Sequence, residues 1–184
     1  MTSFDDYLDL RSADISGRRL VVFAGRSGSG KSTAIEWLLA EHPHLRGRRS
    51  VLVQGPPFRD LPPAGTDVAV VEELSRPRDL VIVMRLLRRA RTILVASHLS
   101  PLWFRLLHPA VRVSLHRTDR DHGKVARYLE RRGIPASDDA VRRFVRLFGA
   151  TYTDVDLVLE RHPSGDFDAA LARFTKFCTL RLGP

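Results

Sequence analysis

The chain has 184 residues, 43% of them hydrophobic, and a formal net charge of +9. That suits one full domain with a small appendage, and no apolar run approaches the ~20 residues needed to cross a bilayer. A single cysteine, Cys178, excludes an internal disulfide framework and a thiol-built zinc site, while the acidic start "MTSFDDYLDLRSADISG" lacks a signal-peptide pattern, so the cytoplasm is the expected compartment.

In chain order, residues 20–24 (LVVFA) form a short apolar run rich in β-branched residues and predict a buried strand. Residues 33–40 predict a helix with Ile35, Leu38 and Leu39 on its apolar side, stopped near Pro43. A second strand is expected at residues 50–55. The following "PPFRDLPPAGT" carries four prolines, which suit neither a helix interior nor a central strand, and reads as a loop. Residues 68–71 predict a third strand ending in Glu72 and Glu73. Leu80, Val83, Met84 and Leu87 fall at helical spacing, so residues 78–91 read as a helix, with the Val81-Ile82-Val83 run keeping a strand as the rival. Residues 92–97 and 111–115 supply a fourth and a fifth strand. Strands alternating with helices predict an α/β fold, a parallel sheet flanked by helices.

From about Thr118 the pattern is helical only. Residues 124–132 are stopped by "GIP". Ser137 caps a helix with Val141, Phe144, Val145 and Phe148 on one face and Gly149 at its end. Thr153 is expected to open the next helix, with Asp156 as a weak capping-box partner, and Asp166 the last, striped by Phe167, Ala170, Leu171 and Phe174. The organisation expected is a core over residues 1–117 and an all-α subdomain over residues 118–184. Trp37, Trp103 and Phe104 fall on apolar segments and read as core.

Gly25-Arg26-Ser27-Gly28-Ser29-Gly30-Lys31-Ser32, followed by Thr33, fits G-x-x-x-x-G-K-[ST] at every fixed position and sits between a strand and a helix, the context a P-loop requires. Gly28 and Gly30 allow positive φ, so successive N–H groups can converge on phosphate oxygens at a helix N-terminus. In that reading Lys31 reaches the β- and γ-phosphates and Ser32 ligates Mg²⁺. Glu72 and Glu73 follow a strand whose end faces the ligand crevice of an open parallel sheet. Glu72 is placed to hold the metal and Glu73 to polarise an attacking water, as catalytic partners of Lys31. Ser97 and His98, ending the fourth strand, are the candidates for sensing the γ-phosphate.

With those residues in view, the chain resembles the P-loop ATPases that carry an extra strand and a catalytic glutamate. "VAVVEE" looks like their hydrophobic-strand-plus-acidic-pair motif, and "TILVASH" like the strand with a polar sensor. The core is similar to an ABC nucleotide-binding core, but the LSGGQ-type signature is absent. "VARYLERRGIPASDDAVRRFVRLFGATYTDVDLVLE" is similar to an AAA+ helical lid, with Thr153 where the lid turn usually carries a nucleotide-sensing arginine. The resemblance implies ATP and Mg²⁺ as cofactors, a minimal AAA+-like ATPase, and an arginine finger donated by a neighbouring subunit, for which Arg105 and Arg112 are the candidates. It also implies a protein partner or homo-oligomer driven by hydrolysis.

Two other readings stay open. A nucleotide or small-molecule kinase would use Arg127, Arg131 and Arg132 to clamp a phosphoryl group, and a nucleotide-dependent switch would bind without turnover. ATP is preferred to GTP because no N/T-K-x-D motif is present. Only Lys31, Lys124 and Lys176 are lysines, so 27 of the 30 basic side chains are arginine. Clusters at Arg85, Arg88, Arg89 and Arg91, and at Arg142, Arg143 and Arg146, suit nucleic-acid phosphates, and equally suit a solvated helix face.

Overall fold

The computed structural model describes residues 6–11, 15, 17–55, 57–58, 60–107 and 111–182, with side chains as far as Lys176. Cys178 therefore lies outside the described side chains. The chain divides into two compact units, residues 1–118 and 119–184.

The first unit is a five-stranded sheet of β1 (Leu20–Ala24), β2 (Ser50–Val53), β3 (Thr66–Leu74), β4 (Ala90–Ser97) and β5 (Val113–Arg117). Its order is β2-β3-β4-β1-β5, and every pairing is parallel. From β1 the chain crosses to the far edge, walks back through β3 and β4, and then passes over β1 to β5. β4 thus stands between the strand before the glycine-rich turn and the strand that ends in the two glutamates.

Period-two alternation places successive residues on opposite faces of the sheet. Leu20, Val22, Ala69, Val71, Ile93 and Val95 belong to one buried cluster, and Val21, Phe23, Val68, Val70, Leu94 and Ala96 to the other. Helix α1 (Lys31–Glu41) covers the second face with Ala34, Ile35, Trp37 and Leu38. Helices α2 (Leu80–Leu86) and α3 (Pro101–Arg105) cover the first with Ile82, Val83, Leu86 and Phe104. Each fully buried side chain of that size contributes about 2–3 kcal/mol.

Several boundaries differ from the sequence expectation. The helix expected over residues 78–91 ends at Leu86, after a 3₁₀ turn at Pro77–Asp79, because β4 begins at Ala90 in register with Thr66. The Gly65 amide takes the Arg89 carbonyl and the Arg89 guanidinium takes Pro62 O, so tertiary pairing overrides local helical spacing there. The Val81-Ile82-Val83 run is helical. The short α3, opened by Pro101 and capped by Ser100 Oγ on the Leu102 amide, was not expected. β5 lies two residues beyond its expected span, set by the Leu20–Val113 register. Phe104 and Trp37 are core, whereas Trp103 is 40% exposed and is not.

The second unit is helical throughout: α4 (His122–Arg131), α5 (Asp138–Phe148), α6 (Tyr152–Arg161) and α7 (Phe167–Leu182). Val125, Leu129, Val141, Phe144, Val155, Val158, Phe167 and Leu171 form its core. Ser137 caps α5 through the Ala140 amide. The cap of α6 is Thr151 rather than Thr153: its hydroxyl receives the Asp154 amide and donates to the Asp154 carboxylate, so Asp154 rather than Asp156 is its partner.

Candidate functional site

β1 delivers the chain into the glycine-rich turn at the C-terminal edge of the sheet, where the Gly25 amide is held by the Ser97 carbonyl of β4 at 3.1 Å. Gly28 at φ 71° and Gly30 at φ 81° adopt the left-handed backbone that any side chain would strain. Gly30 is the N-cap of α1 and provides no side-chain cap. The opening amides of an α-helix have no intrahelical acceptor, so those of Lys31, Ser32 and Thr33 suit an anion. Arg26, Ser27, Gly28 and Ser32 are exposed, and Thr33 is half-buried.

Two side chains of the turn are buried and fix its shape. Lys31 curls back so that Nζ donates to Gly25 O at 3.0 Å and Arg26 O at 2.7 Å. This holds the ammonium against the carbonyls that open the turn. Ser29 Oγ donates to Arg26 O at 2.8 Å and lies 2.6 Å from Thr118 Oγ1. Sequence reasoning missed Thr118, the residue directly after β5, whose amide and hydroxyl also reach Ala24 O. Nothing local announces a partner 89 positions from Ser29.

β3 brings the acidic pair to the same edge through a bulge. Val71 pairs with Val95 and Leu74 with Ser97, so Glu72 and Glu73 together oppose Ala96. Glu73 carries the extra residue's distortion as φ 58°, left-handed backbone that costs a non-glycine residue about 1–2 kcal/mol. Glu72 is half-buried and Glu73 exposed.

β4 ends in Ser97 and His98, which differ in what they can offer. Ser97 is fully buried; its hydroxyl donates to Leu74 O at 2.8 Å and accepts the Leu99 amide at 2.9 Å, so backbone occupies it. The His98 amide donates to Leu74 O, and its ring lies within electrostatic reach of Lys31 and Glu73 and hydrogen-bonds the backbone of Gly25. The part of the ring withdrawn from water lowers its pKa, Lys31 lowers it further, and Glu73 and Gly25 oppose both. The imidazole is thus shifted toward its neutral form, in the field of a cation and a carboxylate.

The two arginine-finger candidates belong to α3 and to the segment before β5. Arg105 ends α3 and is exposed. Arg112 precedes β5, where its carbonyl accepts the amides of Arg19 and Leu20. That is the start of β1, about 13 Å of strand away from the turn, so Arg112 can serve a site only in another copy of the chain. Arg117, by contrast, pairs with Ala24 at the turn's own end. Among the described residues no group of three or more His, Cys, Asp or Glu side chains could hold a metal. A cation here would rely on Ser32, Glu72 and the oxygens of a bound ligand.

In the helical unit, Thr153 is exposed in the first turn of α6. Of the arginines considered for a phosphoryl clamp, Arg127 pairs with Asp121 at 3.7 Å and Arg132 with Asp156. In the second basic cluster, Arg142 is paired along its own helix with Asp138 at 2.8 Å, while Arg143 and Arg146 are exposed.

Compared with known proteins, the sequence matches no family model and no curated protein. Among solved structures, the fold is similar to that of Cdc6p from Pyrobaculum aerophilum at 16% identity and a TM-score of 0.39, covering 88% of this chain and 55% of that one. The chain spans about half the length of that structure. At that distance no residue role transfers, and the functional reading rests on this chain's own geometry. No helix among the described residues is long and apolar enough to cross a membrane.

Proposed function

We propose that the protein binds ATP with Mg²⁺ at the glycine-rich turn and hydrolyses it, as a minimal AAA+-like ATPase with residues 119–184 as its helical lid. The observation that carries this reading is the turn itself: Lys31 Nζ held on Gly25 O, His98 within electrostatic reach of Lys31 and Glu73, and positive-φ glycines leading into an uncapped helix start that suits a polyphosphate. The insertion of β4 between β1 and β3 supports it, because that is the extra strand of the ATPase class the sequence resembles.

In this reading Lys31 and the amides of residues 28–33 bind the phosphates. Ser32 and Glu72 hold Mg²⁺, which when bound supplies charge neutralisation at the terminal phosphate. Glu73, exposed on its bulge, orients the attacking water as a carboxylate acceptor. His98 replaces Ser97 as the sensor, because the Ser97 hydroxyl is occupied. Arg105 and Arg112 would act only across a contact between copies. The kinase reading loses support from the engagement of Arg127 and Arg132 by carboxylates. Coupling to a nucleic-acid complex rests on the +9 charge, and such binding must weaken steeply with salt.

The test is phosphate release with and without nucleic acid, for wild type and Glu73→Gln, alongside nucleotide affinity. Turnover lost in the variant with ATP binding retained is the expected result. Phosphate found only on an added acceptor would move the assignment to a kinase, and binding without turnover under every condition to a switch.

A further inference from the structure

The layer formed by α2 and α3 presents an unusual outer face. Among the described residues eight large hydrophobic side chains are exposed, and five of them lie on this one layer: Val81, Met84, Leu102, Trp103 and Leu106. On α3, Leu102 and Leu106 stand opposite the buried Phe104, so they point away from the sheet. On α2, Val81 and Met84 stand opposite Ile82, Val83 and Leu86 in the same way. α2 packs on β4 and α3 on β5, with β1 between those strands. The two helices therefore lie on the same face of the sheet, on strands that flank β1, and their outer side chains belong to one side of the unit.

Charge on this layer has one sign. Arg78, Arg85, Arg88 and Arg105 are exposed, and Asp79 is the single acid between residues 75 and 107. Asp79 is itself turned onto the Arg76 amide at 3.0 Å. Along α2 and the turn that follows it, apolar Val81 and Met84 lead into cationic Arg85 and Arg88.

From this we infer that the α2–α3 face docks an acidic amphipathic helix of a protein partner. Such a helix brings an apolar stripe for Met84, Leu102 and Leu106 and carboxylates for Arg85, Arg88 and Arg105, which pair with arginine bidentately. A second copy bound face to face would set arginine against arginine. Nucleic acid satisfies the arginines but offers nothing to the leucines and Trp103. A bilayer lying against α2 would take Arg88 to the depth of Val81 and Met84.

Trp103 makes the inference measurable, because Trp37 is buried and only Trp103 changes environment when the face is covered. The probe is a synthetic helical peptide with one leucine stripe flanked by glutamates, compared with a shuffled peptide of the same composition and a version with glutamine for glutamate. The expected result is a blue shift of Trp103 emission, absent in Trp103→Phe, and binding about tenfold tighter than either control. Arg85→Glu with Arg88→Glu should transfer the preference to a lysine-flanked peptide, and Leu102→Ser with Leu106→Ser should weaken binding to both. Arg142→Glu with Arg143→Glu, on α5, should leave it unchanged. Equal binding of the shuffled peptide would overturn the inference. So would a Trp103 shift produced by phosphatidylserine vesicles or duplex DNA and not by the peptide.

Discussion

Ser29 Oγ and Thr118 Oγ1 lie 2.6 Å apart, both fully buried, and join the glycine-rich turn to the last residue of the core unit. The Thr118 hydroxyl carries one proton, with Ala24 O and Ser29 Oγ both in reach, so it is a hydrogen-bond donor in either arrangement. Thr118→Val keeps the volume and removes that donor. Loss of one such bond costs about 0.5–1.5 kcal/mol, so nucleotide affinity should fall by about twofold to tenfold. Thr118→Ser should restore it. Amide exchange over residues 26–30 without nucleotide separates the two ideas involved: faster exchange in Thr118→Val shows the anchor even if no nucleotide binds. Unchanged exchange and unchanged affinity would remove Thr118 from the site.

Glu73 combines a left-handed backbone with a place at the candidate site. Glu73→Gly should raise the stability of the protein by up to about 1 kcal/mol through relief of that backbone, while abolishing phosphate release. Glu73→Asn, which tolerates φ > 0 better than glutamate, should lie between the two in stability and share the loss of turnover. Thermal melting beside a phosphate assay reads both quantities. A Glu73→Gly protein less stable than wild type would mean that the glutamate side chain, not the bulge, shapes this strand end.

Two histidines are held below their ordinary pKa. Burial lowers His116, whose ring stacks on Phe23 at 5.1 Å and meets Ser114 Oγ at 2.9 Å; burial and then Lys31 lower His98. The unfolded chain therefore binds more protons than the folded one below about pH 6.5, and stability must fall as pH drops through that value toward the folded pKa values. His116→Gln should flatten the dependence of melting temperature on pH between neutrality and mild acid, with His98→Gln flattening it less because that ring is more exposed. Identical slopes in wild type and His116→Gln would assign the acid sensitivity to other groups.

The strands were legible because each is an apolar run bounded by turn residues, and the glycine-rich turn because its spacing is local. What escaped was non-local. Helix α2 stops where β4 finds β3, and no pattern within residues 78–91 records that pairing. Ser97 and His98 look equivalent in sequence, yet one hydroxyl is spent on Leu74 and Leu99 while the ring beside it lies within electrostatic reach of Lys31. Trp103 read as core from its apolar neighbours, although only Phe104 of that short helix faces the sheet. The α6 cap slipped by two residues because Thr151 and Thr153 each have aspartate three positions on, and the choice between them is made by tertiary structure.

That second aspartate, Asp156, does other work. Tyr128 Oη donates to its Oδ1 at 2.9 Å, Arg132 pairs with it, and the Tyr128 ring packs tilted against Tyr152 at 4.7 Å with Lys124 Nζ 4.6 Å above Tyr152. The carboxylate thus ties α4 to α6 inside the helical unit. Burial, and then Asp156, raise the Tyr128 pKa, so the folded protein keeps that proton where the unfolded chain begins to lose it near pH 10. Stability from this cluster is complete below pH 10 and is lost as pH rises through the folded value. Asp156→Ala removes a half-exposed ion pair and a hydrogen bond to a charged acceptor, and should cost about 1–2 kcal/mol at neutral pH. It should also move the Tyr128 titration, followed by ultraviolet difference absorption against Tyr128→Phe, back toward the ordinary tyrosine value. A titration that does not move would mean that burial alone holds the Tyr128 proton.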